Sequence, residues 1–180
     1  MNAGGHCLGG TLLAGAAAYL SERGETPFNC LTRLAAQTDF SEAGELSLFI
    51  DESQIAFMEN LMWQQGYLDT RHMAGAFELL RSNDLIWSSM VNKYLLGQRA
   101  PMTDLMAWNA DTTRMPYRMH SEYLRRLFLN NDLFAGRYRV NGHSVALRHL
   151  QAPIFPVATE TGPVAPSPSR PPPPPAPPPR

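Results

Sequence analysis

Lysine is almost missing from this chain: Lys93 is the only one, and arginine carries nearly all of the positive charge. Charged side chains amount to 17% and balance to a formal net charge of -1, so there is no basic field to draw in nucleic acid. Cysteine is scarce too. Cys7 and Cys30 stand alone in 180 residues, too few for a disulfide framework, which favours a reducing compartment. The small, apolar run from Leu8 to Leu20 is shorter than the ~20 residues a membrane span requires. It has the texture of a secretory signal, yet no positive segment precedes it, and a cytoplasmic location is expected. No internal repeat is visible.

What the chain does contain is enough apolar sequence, 44%, for one domain with a core. Proline is distributed unevenly: eleven of the sixteen follow Gly162, five of them in a row from Pro171 to Pro175. That end has little to bury and is expected to be a disordered polyproline II tail over 162–180.

The periodicities predict a strand at Met1–Gly5, a helix over Leu8–Ser21 stopped by Gly24 and Pro27, and a second strand beginning at Cys30. From Gly44 to Asp132 the pattern is helical. Ile86, Met90, Val91, Tyr94 and Leu95 share one face, and Gly97 closes that helix. Pro101 is placed as the first residue of the next helix, with Leu105, Met106 and Trp108. Pro116 opens another, with Tyr123, Leu124, Leu127 and Phe128 facing inward. Successive helices without strands between them suggest a separate cap. Arg137–Val145 reads as a hairpin turning at Asn141-Gly142, and Pro153–Ala158 as a core strand weakened by Pro156. The expected fold class is α/β, divided into 1–43 with the elbow, a cap over 44–135, a hairpin and return strand over 136–161, and the tail.

The chemistry lies in Gly5-His6-Cys7-Leu8-Gly9-Gly10. Gly-x-nucleophile-x-Gly between a strand and a helix presents the nucleophile on a strained turn, so its neighbours must be small. Cys7 is the candidate nucleophile, Gly5, Gly9 and Gly10 supply room, and the Leu8 N–H offers one half of an oxyanion hole. The helix N-terminus favours a thiolate at Cys7. His6 adjoins Cys7, but neighbours at a sharp turn point apart, so it is not the expected base.

This box, continued by Thr11-Leu12-Leu13, resembles the lipase-like box of polyhydroxyalkanoate synthases, in which cysteine replaces serine. Further segments follow that family in order: Asp39-Phe40, Phe49-Ile50-Asp51-Glu52, Leu80-Arg81-Ser82-Asn83-Asp84-Leu85-Ile86-Trp87, Trp108-Asn109-Ala110-Asp111 to Pro116, and Tyr123-Leu124-Arg125 to Leu133. The resemblance runs from about Met1 to Pro166 and fits the class I, short-chain type. It implies an α/β-hydrolase fold with a helical lid, and an acyltransferase that loads (R)-3-hydroxyacyl groups, typically 3-hydroxybutyryl, from CoA onto cysteine. These are then passed to a polyester chain with release of CoA. It implies no cofactor and no metal, since the CoA thioester is the substrate. Implied partners are hydroxyacyl-CoA and polyester, with a homodimer or pairing with an intact synthase, at polyester granules. By motif it places Arg81 and Asn131 along the CoA path.

The pattern also breaks. Where the family carries its aspartate and histidine after the return strand, this sequence has Gly162 and Pro163, and only prolines occupy the place of the later Gly-His segment. One hypothesis derives Glu160-Thr161-Gly162-Pro163 from Glu-Arg-Asp-His codons read in a shifted frame, with a second, compensating slip before Val164-Ala165-Pro166. His143 and His149 precede the return strand, and His72 and His120 fall in the cap as surface or packing residues. A family tyrosine is Phe128 here. The expectation is a piece of a synthase, cut at both ends and inactive alone. Two other readings remain: a cysteine esterase or thioesterase of the same fold, and a non-catalytic partner whose proline-rich tail docks an aromatic groove.

Overall fold

The computed structural model describes residues 1–69, 87–98, 101–111 and 114–158. It divides into two compact units, one formed by Met1–Asp51 with the chain from Tyr123 onward, the other by Glu52–Glu122. The proline-rich tail lies outside the described residues, as do Gly162 and Pro163.

The first unit is built on a parallel sheet ordered β1-β2-β5, with β1 at Asn2–His6, β2 at Cys30–Leu34 and β5 at Ile154–Val157. Asn2 pairs with Cys30 and His6 with Leu34 across the first ladder, Leu31 with Ile154 and Leu34 with Val157 across the second. Parallel neighbours need a crossover, and helix α1, Leu8–Glu22, supplies the first one. Thr11, Ala14, Ala17 and Ala18 recur at three and four residues and are buried. A stripe this small lets the helix lie close to its neighbours. Gly24, at φ 76°, turns the chain out of the helix. Leu31, Phe40, Leu127, Leu133, Val145, Leu147 and Leu150 complete the core.

The return strand β5 is an outer strand of the described sheet, mostly exposed, rather than a core strand. Its register explains why Pro156 is tolerated. Leu31 N–H donates to the Pro153 carbonyl and Ala35 N–H to that of Val157, so alternate residues face β2. Pro156 falls between them and turns outward, where a missing N–H costs no ladder bond. The Asn141-Gly142 turn joins β3, Arg139–Val140, to β4, His143–Ser144, with φ of 50° and 82° at its two central residues. Glu22, at the end of α1, accepts from the Ala146 N–H and pairs with His149 Nδ1 at 2.5 Å, fixing the short turn Leu147–His149.

The segment Tyr123–Leu129 belongs to this unit, although its sequence reads as part of the cap. Leu127, with Leu133 beyond it, is buried in the same core as the α1 alanines. It is a wide, π-type turn, with Asn130 N–H reaching back five residues to the Arg125 carbonyl.

The second unit is helical where described: α2 Glu52–Trp63, α3 Ser88–Met90 continuing as a wide turn over Val91–Leu95, α4 Asp104–Ala110, and α5 Tyr117–Glu122. Helix α2 meets α5 through the Ser121–Glu59 hydrogen bond and the edge-to-face pair Trp63–Tyr117. Pro101 does not open α4. Thr103 caps it, its side chain accepting from the Met106 N–H at 3.2 Å, so the helix begins at Asp104. Met90, Val91, Tyr94, Leu95, Leu105, Met106 and Trp108, expected to face a core, are exposed. No described helix is long and apolar enough to cross a membrane.

Candidate active site

Cys7 sits between the last residue of β1 and the first of α1, with φ 48° and ψ -125°. A residue with a β-carbon is strained there, by about 1 to 3 kcal/mol, and stays only where the surroundings hold it. Three backbone hydrogen bonds do so. Cys7 N–H donates to the Leu34 carbonyl at 2.9 Å, and the Cys7 carbonyl accepts from Gly10 and Thr11 at 3.0 and 3.2 Å. The Leu8 N–H follows directly, at the first position of the helix, where an amide has no carbonyl partner within the helix. The thiol is exposed, and no described residue hydrogen-bonds to it.

Two of the three elbow glycines are sterically required. A Cβ on Gly5 would lie 2.6 Å from the Gly10 Cα, and one on Gly10 would lie 2.4 Å from the Ala36 Cβ and 2.8 Å from the Gly5 carbonyl oxygen. Gly9 differs from the sequence expectation: a Cβ there meets nothing within 4 Å, because it faces outward from the turn.

The loop leaving β2 runs beside the elbow. Ala35 takes φ 45°, Ala36 abuts Gly10, and Thr11 Oγ1 donates to the Gln37 carbonyl at 2.6 Å. Arg33 is buried and donates to the Ala36 carbonyl and Thr38 Oγ1, while its Nε has no partner among the described residues; burial pushes its guanidinium below the ordinary value. Farther along, Asp39 and Phe40 meet Asn131, which lies 92 residues from Asp39 in sequence. Asn131 Nδ2 donates to Asp39 Oδ1 at 2.7 Å, and Asn131 Oδ1 accepts from the Phe40 N–H at 3.0 Å. The Asp39 carboxylate also accepts from Ser41 N–H and Oγ. Burial raises its pKa, but these three hydrogen bonds together hold it below the usual value.

Phe40, Tyr123 and Phe128 form an aromatic cluster. Phe40 stands edge-on to Tyr123 at 6.3 Å and tilted against Phe128 at 4.7 Å, and Tyr123 is edge-on to Phe128 at 5.5 Å. The Tyr123 phenol is held well above its ordinary value, first by burial and then by the negative charge of a Cys7 thiolate. Sequence patterning placed Tyr123 only as an inward-facing residue; nothing in its spacing connects it with position 7.

Arg81, assigned by resemblance to the CoA path, lies outside the described residues, with most of its motif. Both polar atoms of the Asn131 side chain are engaged by Asp39 and Phe40. Of the histidines, His6 and His143 are exposed, His149 pairs with Glu22, and His120 is buried in the helical unit; His72 is outside the described residues.

A strained cysteine at the junction of a parallel strand and a helix, backed by two glycines with no room for a side chain, defines an α/β protein presenting a thiol on an elbow. Its sequence carries the assignment further. Over most of its length the chain is similar to one stretch of poly(3-hydroxyalkanoate) polymerases. It is 44% identical to the poly(3-hydroxyalkanoate) polymerase of Methylorubrum extorquens over 165 residues, which is 92% of this chain. It is 41% identical to the polymerase subunit PhaC of Rhizobium meliloti over 94% of the chain, and 34% identical to that of Cupriavidus necator over 86%. These matches span only 27 to 28% of the relatives' own length. No protein-family model matches the chain.

Proposed function

We propose that this chain is the nucleophile-bearing segment of an acyltransferase that polymerises (R)-3-hydroxyacyl-CoA, with 3-hydroxybutyryl-CoA as the substrate. The observation that carries the reading is Cys7 itself: a reactive residue type, exposed, held at positive φ between β1 and α1. In this scheme the Cys7 thiolate attacks the thioester carbonyl. The Leu8 N–H donates to the oxyanion, the carbon–sulfur bond to CoA breaks, and CoA leaves as its thiolate. Exchange of one thioester for another is nearly isoenergetic, so the acyl group stays reactive toward the hydroxyl of the next unit. Arg81 is proposed to lie on the CoA path. The polyester, its granules and pairing with a full-length synthase belong to the same proposal, in a cytoplasmic setting.

The 180-residue chain is proposed to load once and not turn over. What supports this is that no described histidine or carboxylate hydrogen-bonds to the Cys7 thiol, so among the described residues none is in place to take the proton of an incoming hydroxyl. Incubation with 3-hydroxybutyryl-CoA, following released CoA, tests both parts. One equivalent of CoA per chain, abolished in Cys7→Ala, is the expected result. Steady turnover overturns the claim of inactivity, and no release at all overturns the assignment of Cys7.

A further inference from the structure

Arg33 is an unexpected residue to find inside the first unit, where it is 6% exposed. Its place in the sheet brings it next to the elbow: across the first ladder Arg33 is the partner of Gly5, and Leu34 that of His6. A buried cation carries a desolvation cost that a leucine would avoid, and among the described residues no carboxylate pairs with it. What arginine offers in exchange is donors. Ala35 makes the last bond from β2 to β5, its N–H to the Val157 carbonyl, and its φ of 45° turns the chain out of the sheet. The next carbonyl, that of Ala36, has therefore left the ladder. Arg33 Nη2 meets it at 2.6 Å and reaches Thr38 Oγ1, two residues on, at 3.2 Å.

The segment that Arg33 braces is the one that seats the elbow. The Leu34 carbonyl accepts from the Cys7 N–H at 2.9 Å, the Ala36 side chain fills the space that a β-carbon on Gly10 would need, and the Gln37 carbonyl accepts from Thr11 Oγ1. Gly10 and Thr11 in turn donate to the Cys7 carbonyl. The backbone on both sides of Cys7 is thus held, directly or through α1, by residues 34–37. We propose that Arg33 is a positioning residue for Cys7, its buried guanidinium fixing the turn after β2 so that this turn holds the strained nucleophile in place. The proposal deepens the reading of Cys7 given above and rests on it for its chemical consequence. Arg33 touches no reacting atom and works through the backbone of Leu34 to Gln37.

The test is amide hydrogen exchange in the full chain, read residue by residue by NMR, since local opening shows at the amides it frees. The amides of Cys7, Gly10 and Thr11 report the elbow, and that of Ala18, buried in the middle of α1, reports the unit as a whole. Arg33→Leu removes the donors and leaves the Ala36 carbonyl unmet. It is expected to speed exchange at the three elbow amides by about tenfold or more relative to Ala18. Arg33→Lys keeps a cation that can donate to the same carbonyl and should recover part of the protection. If Arg33→Leu does not fold, Arg33→Lys compared with the wild type carries the same expectation in smaller measure. The variants are then given 3-hydroxybutyryl-CoA, and the single release of CoA should be slower wherever the elbow amides exchange faster.

Unchanged exchange at the elbow, or exchange that rises equally at Ala18, overturns the proposal, the second by making Arg33 a matter of general stability. So does Arg33→Lys exchanging as fast as Arg33→Leu, or CoA release at the wild-type rate from a loosened elbow. Hydrogen exchange needs no acyl-CoA chemistry. Absence of CoA release from the wild type would therefore count against the acyltransferase reading, while the exchange result still decides whether Arg33 holds Cys7.

Discussion

Thr11 Oγ1 donates a 2.6 Å hydrogen bond to the carbonyl oxygen of Gln37, with both residues buried. It fastens the second turn of α1 to the loop that leaves β2. Thr11→Val keeps the shape but strands that carbonyl, and is expected to cost about 1 to 3 kcal/mol. Thr11→Ser keeps the hydroxyl and should cost less. Urea unfolding of the two variants beside the wild type measures the difference; equal losses would assign the role of Thr11 to its methyl group instead.

The elbow glycines should separate sharply. Gly10→Ala drives a β-carbon to 2.4 Å from Ala36 and 2.8 Å from a backbone oxygen, neither of which is the free end of a flexible chain. A loss of about 3 kcal/mol or more, or failure to fold, is expected. Gly9→Ala meets nothing and gains helix propensity, so it should be neutral or stabilising by up to about 1 kcal/mol. Denaturant midpoints for the pair check this.

Cys7→Gly should make the chain more stable and chemically inert. Glycine has no β-carbon to strain at φ 48°, and release of about 1 kcal/mol is expected, whereas Cys7→Ala retains the strained backbone. A thermal melt of the two variants distinguishes them; identical melting temperatures would show that the elbow stores no strain in that residue.

His120 gives the helical unit a dependence on pH. It is 4% exposed, its Nδ1 has no hydrogen-bond partner among the described residues, and burial holds its pKa below the ordinary 6.5. The folded state therefore prefers the neutral ring, while the unfolded chain takes up a proton near pH 6.5. Its contribution to stability is full above that value and is lost as the pH falls from there through the folded-state value. Unfolding midpoints from pH 8 to 5 should drop more steeply in the wild type than in His120→Gln. Parallel curves would remove His120 as the cause.

The parts of this structure legible in the sequence are those set by neighbours along the chain. Gly5 and Gly10 flank Cys7 at fixed spacing, Asn141-Gly142 supplies its own turn, and Gly24 stops its own helix. The Thr103 cap was legible too, since a threonine followed by Asp104 is a helix start, but Pro101 gave the more conspicuous signal. Gly9 satisfied the spacing rule without being needed, because a pattern of letters does not say which way a turn faces. What the sequence could not disclose is long-range pairing. Nothing in the local pattern around Asn131 points to a carboxylate 92 residues earlier, and Tyr123 is spaced like any core residue of its helix. The exposed apolar side chains of α3 and α4 have the periodicity of a buried face, and periodicity does not name what a face is packed against.

The two outer strands of the described sheet differ in what they offer to another backbone. On β5, Pro156 turns its missing N–H outward, so a strand approaching from that side finds a gap in the donors. β1 contains no proline, and its outer row of donors and acceptors is uninterrupted along Asn2–His6. Preparations of the isolated 180-residue chain should therefore self-associate through one rim, β1, as concentration rises. A proline or lysine placed there is the practical route to keeping such material in solution.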